Sequence, residues 1–287
     1  MGFTSTDDMV SELTAGKSWL WVWNKITGAS AYTAGRWYDF SLLNGSPIAN
    51  AFSGTALAWQ TMADTNGFGI WHGGNVSTDT KHMLFLSAVT GVATGVPGYF
   101  LLVDMQGYWP GITNNSAVAQ TLTGTPTLRY TNGVGLRLFW VQTSAAGATA
   151  QNISLSYTDQ DNNTGNTMPV TVAMTASAIV GHVSHSGTAA NNYGPFLPLA
   201  SGDYGVRNVA SVTFSAANTG TGALVLARPI AEVPVVTASV EGAREMVNQM
   251  MSLERIYDGA CLTWLYFAGA ATAANTNFFG VSRFGWG

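Results

Sequence analysis

The sequence predicts an all-β protein, a jelly roll or β-sandwich, with a short N-terminal helix and room for one further helix near the C-terminus. Three observations predict it. Runs of alternating apolar and polar residues recur along the chain, as in Ile153-Ser154-Leu155-Ser156-Tyr157-Thr158. Clusters of Gly, Asn and Pro separate those runs, which is how turns punctuate strands. No internal repeat of roughly 20–50 residues occurs, which disfavours solenoids and propellers. The 287 residues allow one large domain or two smaller ones. We read residues 1–30 as a helix and aromatic arm and residues 31–287 as the β body, with a subdivision admitted near 120.

At the N-terminus, Ser5, Thr6, Asp7 and Asp8 supply cap residues and early carboxylates, and Met9, Val10 and Leu13 a partial apolar face. Gly16 is a fitting stop. Then comes Trp19-Leu20-Trp21-Val22-Trp23. In an extended chain Trp19, Trp21 and Trp23 project from one side. Such a stripe is core in the first reading and an arm that docks on a neighbour in the second. Residues 83–103 are uncharged and long enough to raise a transmembrane question. Gly91, Gly95, Pro97 and Gly98 interrupt them, so two strands joined by a turn fit better.

Around Asn132-Gly133 the apolar faces match only with Val134 in the loop, pairing Tyr130 with Leu136 and Leu128 with Leu138. Arg129 and Arg137 then face each other and need a carboxylate or a partner chain between them. Residues 153–175 read as a hairpin, its second strand carried by Met168, Val170, Val172 and Met174. Ala210, Val212 and Phe214 form the apolar side of another strand. Leu224-Val225-Leu226-Ala227 is apolar on both sides, so both faces should be covered, and Arg228-Pro229 should end its pairing. Met246, Val247, Met250, Met251 and Ile256 fit one helix face, with Gly259 as its end. Leu262-Thr263-Trp264-Leu265-Tyr266-Phe267 returns to strand character.

Charge is scarce. Asp, Glu, Lys and Arg make up 9% of the chain, against about 25% in ordinary soluble domains. Gly, Ala, Ser, Thr and Asn take their place, so the surface is neutral and polar and resists association less than a charged one. We read it as a surface to be covered by other chains; the alternative is a secreted β-protein with a bland exterior. The net charge of −4 and the lack of a basic run argue against nucleic acid as partner. Asp7, Asp8 and Glu12 argue against a secretory signal, so we expect synthesis in the cytoplasm and no membrane association.

Groups that perform chemistry are few. His182 and His185 lie at a strand end, where side chains three apart point to opposite faces, so no metal pair is expected. His72 and His82 are the only other histidines. The loop that starts at Asp159 begins like a calcium loop, but Thr164 and Val170 stand where glycine and the bidentate acid belong. Cys261, the single cysteine, sits in an apolar run and reads as a small buried hydrophobe. Asp104 and Glu232 each follow an apolar run, which leaves a glycosidase pair open. Gly107-Tyr108-Trp109-Pro110-Gly111 reads as an aromatic turn that plugs a sandwich end or, with Trp71, stacks on a sugar. We therefore expect no enzyme and no cofactor. The candidate interface residues are Trp19, Trp21, Trp23, Tyr108 and Trp109.

Four strings look familiar together: Tyr32-Thr33-Ala34-Gly35-Arg36-Trp37-Tyr38-Asp39, the hairpin at 153–175, Leu224-Val225-Leu226-Ala227-Arg228-Pro229-Ile230, and Tyr257-Asp258-Gly259-Ala260-Cys261-Leu262-Thr263-Trp264-Leu265-Tyr266-Phe267. With them the chain resembles head-decoration (cement) and minor capsid proteins of tailed bacteriophages. The resemblance implies a β-sandwich or jelly roll, a homotrimer, the major capsid protein as partner, and a place on the head surface of the virion. It transfers no site residue. Other virion parts (baseplate, neck or tail-fibre module) and a carbohydrate- or receptor-binding module remain as alternatives.

Overall fold

The computed structural model describes residues 2–183, 194–249 and 253–287. Helix α1 (Thr6–Thr14) starts where expected: the Ser5 hydroxyl accepts from the Asp8 amide at 3.0 Å, and Asp7 and Asp8 occupy the first turn. Gly16, at φ +88°, ends it. Nine longer strands follow among the described residues: β1 (Ser18–Ile26), β2 (Lys81–Thr90), β3 (Gly98–Thr113), β4 (Arg137–Ser144), β5 (Gln151–Asp159), β6 (Val206–Phe214), β7 (Thr221–Val235), β8 (Leu262–Ala268) and β9 (Asn277–Trp286). The class is all-β, as predicted, built from three antiparallel sheets.

The first sheet runs Gly242–Glu245, β2, β9, β1, Asn44–Ser46. The second runs Arg36–Asp39, β8, β3, β7, β4. The third runs Asn166–Thr167, β5, β6, Gln120–Thr121, with Val172–Met174 also on β5. Residue 120 thus falls where the chain first enters the third sheet. β1 pairs with β9 along its whole length, from Ser18–Gly285 to Ile26–Asn277, so it lies inside the first sheet rather than standing off as an arm.

The second sheet is the centre of the molecule. Phe100 and Leu102 of β3, with Ala231 and Val233 of β7, meet Trp23, Leu86 and Phe278 of the first sheet. Trp109 and Leu224, on the same face beyond a bulge at Met105–Gly107, meet Ile153, Val212 and Phe214 of the third sheet. Two sandwiches therefore share one long sheet. Its opposite face, with Val103, Val225 and Leu265, is covered by Phe52, Met62 and Val183 from connecting segments. This explains why Leu224-Val225-Leu226-Ala227 is apolar on both sides: all four are fully buried.

Several expectations need correction. The pairing of β7 does not end at Pro229. It stops only toward β4, at Ala227, and continues along β3 to Val235 with a register shift after Pro229. A proline without N–H is tolerated there because one side of the strand has lost its neighbour. The proposed hairpin at 128–138 does not form; β4 pairs with β7, and Thr131–Gly133 is a helical turn with Asn132 at φ +58°. Arg129 does find its carboxylate, which is Asp104, whereas Arg137 lies opposite Ala227. In β6 a bulge between Val209 and Ser211 turns Ala210 outward and Val209 into the core. The hairpin at 153–175 is present but interrupted around Pro169, between Asn166–Thr167 and Val172–Met174; Val170 is exposed there. Near the C-terminus, helix α2 is a single turn, Met246–Gln249, and Ile256 belongs to the short strand Arg255–Ile256. Met250 and Met251 lie outside the described residues.

Candidate interaction surfaces

Strand β1 divides its residues between two faces of different character. On the inner face the tryptophans sink progressively. Trp19 is 40% exposed, Trp21 half-buried and Trp23 fully buried. Trp23 packs 5.1 Å from Trp264 and donates its indole N–H to the Ser87 carbonyl at 3.2 Å. On the outer face Leu20 is 56%, Val22 61% and Ile26 40% exposed. Across the ladder from them, Val281 faces Val22, and Phe279, itself exposed, faces Asn24. Directly opposite residues point the same way, so these side chains form an apolar stripe that Asn24 interrupts and Arg283, opposite Leu20, borders. α1 covers only one end of it, bringing Met9 and Leu13 beside Leu20 and Phe85.

The predicted interface residues separate accordingly. Trp19 and Trp21 reach the surface, while Trp23, Tyr108 and Trp109 are core. The segment Gly107–Gly111 is not a turn but the interior of β3. Gly107 permits this, because the Trp59 indole and the Gln60 carbonyl lie where a Cβ would be. The Tyr108 hydroxyl donates to Ser53 O at 2.8 Å, and the Trp109 indole to Thr123 O at 3.2 Å. Neither ring offers a face to an outside ligand. Leu20 and Val22 were legible as the even positions of the same run, and Ile26 continues their period along β1; the indoles beside them carried the stronger signal.

Trp19 and Trp21 instead wall a cleft of about 570 Å³ with Trp71, Pro47, Ile48 and Asp64. Behind it sits a buried polar cluster. Lys81 Nζ donates to His72 Nδ1 at 2.8 Å and to Gly74 O, and lies 3.3 Å from Asp258. His72 Nε2 lies 3.0 Å from the Ala260 carbonyl, so its single proton belongs on Nε2. Burial first, and then the Lys81 charge, push the His72 imidazole down to about 4. His72 is therefore neutral near pH 7 and has both nitrogens engaged, which suits a structural role.

The acids considered for hydrolysis do not form a pair. Asp104 is fully buried and held by Arg129, Gln106 Nε2 and the Cys261 amide. Glu232 lies opposite Leu101 in the ladder, whereas Asp104 lies opposite Arg228. Burial pushes the Cys261 thiol up to about 12. The Asp159 loop is a polar turn: Asp159 accepts from the Asp161 and Asn163 amides and from the side chains of Asn163 and Asn166. His182 is buried against the Tyr38 ring, and His185 lies outside the described residues. Among the described residues no His, Cys, Asp or Glu side chains gather in threes as a metal site. No described helix is long and apolar enough to cross a membrane.

Fold and surfaces together define an all-β sandwich protein with a partly uncovered apolar sheet face. No protein-family model and no curated protein matches the chain. Among solved structures it aligns with the infectious bursal disease virus VP2 subviral particle at 11% identity, covering 93% of this chain and 80% of that one, with a TM-score of 0.23. The infectious bursal virus derived T=1 particle aligns at 9% identity, covering 94% and 78%, with a TM-score of 0.17. Superpositions this loose bear on neither fold nor function.

Proposed function

We propose that this chain is a virion structural protein, a capsid decoration or cement protein that attaches to an assembled phage head, and that it is not an enzyme. The observation that carries the reading is the outer stripe of the first sheet. Leu20, Val22, Ile26 and Phe279 stand exposed together on a chain with only 9% charged residues. An uncovered apolar patch on a neutral surface marks a protein–protein contact site. Asn44–Ser46 and Gly242–Glu245 also leave the first sheet with short edges that a neighbour can extend. The resemblance of the four sequence strings to cement proteins supports the same reading, with a homotrimer as the assembled form and the major capsid protein as partner. A closed trimer would keep such a surface from forming open fibres.

The test is to mix the purified chain with undecorated heads. Wild type should co-sediment with them and raise their resistance to heat. Failure of wild type to do either would overturn the proposal.

A further inference from the structure

We propose that the cleft beside β1 is a saccharide-binding site, distinct from the apolar stripe on the other face of the strand. The proposal does not rest on the decoration reading. Three indoles, Trp19, Trp21 and Trp71, share the cleft with Ile48, and Trp19 is exposed to 40%. The volume of about 570 Å³ falls in the range of small-ligand sites, roughly 300–1,000 Å³. Indole faces pack against the C–H faces of a pyranose ring, which are apolar although the ring edge is studded with hydroxyls.

The polar groups in the wall decide between ligand classes. Asp64 offers a carboxylate that no described donor reaches within hydrogen-bond distance; His72 Nε2 is 3.9 Å away and its proton is directed to Ala260. Ser46 contributes a hydroxyl to the wall, and the Trp21 indole N–H is itself buried and has no partner among the described residues. The wall therefore holds a hydroxyl that can donate as well as a carboxylate that accepts. A quaternary ammonium ion would use the rings and the carboxylate but leave the Ser46 hydroxyl unmatched. A sugar hydroxyl both donates and accepts, so a neutral saccharide matches the whole set. Asp64 opens a helical turn closed by Gly67 at φ +75°, so its backbone is held in place before any ligand arrives.

The experiment uses the full chain and a panel of neutral di- and trisaccharides of glucose, galactose, mannose and N-acetylglucosamine, with tetramethylammonium as the cationic probe. Ligand-observed saturation-transfer NMR and calorimetry should show saturable binding of at least one saccharide, at about millimolar affinity or tighter. Trp19→Ala, Trp71→Ala and Asp64→Asn should each weaken it about tenfold or more, with the melting temperature tracked to confirm folding. Trp71→Ala and Asp64→Asn should still bind heads as wild type does. No saturable saccharide across the panel, binding of tetramethylammonium alone, or folded variants that bind sugar like wild type would each overturn the proposal.

Discussion

Arg129 grips Asp104 with two nitrogens: Nη2 lies 2.6 Å from Oδ1 and Nε 3.2 Å from Oδ2. The carboxylate is fully buried in β3 and the guanidinium nearly so. Arg129 also donates to Met62 O and Met105 O, so one side chain ties the irregular segment at 128–130 to the central sheet.

Removing one partner of this pair strands the other charge in the interior. Arg129→Met should destabilise the chain by about 3–5 kcal/mol. Asp104→Asn should do the same, since it leaves Arg129 uncompensated. Denaturant unfolding measures both. A loss under about 1 kcal/mol would mean the pair behaves like an exposed one.

The two faces of β1 should respond oppositely. Trp23→Ala opens a cavity among Trp264 and Phe100 and should cost about 3–5 kcal/mol. Val22→Glu, on the outer face, should change stability by only about 0.5 kcal/mol yet abolish binding to heads. Thermal melts and co-sedimentation of the two variants separate the roles.

Protonation of His72 opposes folding. Its folded value, about 4, lies below the ordinary 6.5, so between those values the unfolded chain binds more protons. The contribution is therefore complete above pH 6.5 and lost as pH falls toward 4. Asp39 runs the other way, because burial pushes its carboxyl up to about 7. Its contribution is present below 3.8 and lost as pH rises through 7. The slopes overlap, so the His72 effect should be read as wild type minus His72→Gln. That difference should rise by roughly 2–3 kcal/mol from pH 4 to 6.5. A flat difference curve would show that His72 titrates alike in both states.

Cys261 should be inert in the folded chain. Its thiol is fully buried and held protonated by burial. Native protein should therefore react with a maleimide only at the rate of unfolding, and denatured protein at once. Fast native labelling would contradict the packing.

Local pattern was enough where a strand has one wet face or two dry ones. Ile153, Leu155 and Tyr157 alternate along β5 as the sequence implies, and Leu224-Val225-Leu226-Ala227 is covered on both sides. It failed where a bulge shifts the period, as at Val209 in β6, or where a neighbouring strand changes what proline can do, as at Pro229. Pairing Leu128 and Tyr130 with β4 would match apolar faces, but β7, far along the chain, offers β4 a longer and drier partner.

By itself, the sequence determined the all-β class, the capped helix α1, most strand positions, and a surface poor in charge, because each follows from neighbours in the chain. Only the tertiary structure decided that one long sheet serves two sandwiches and that Tyr108 and Trp109 are core. It alone showed β1 turning its tryptophans toward the core and a cleft while Leu20, Val22 and Ile26 face outward. Alternation states that two faces exist; which one is buried depends on what packs there, and that partner comes from the other end of the chain.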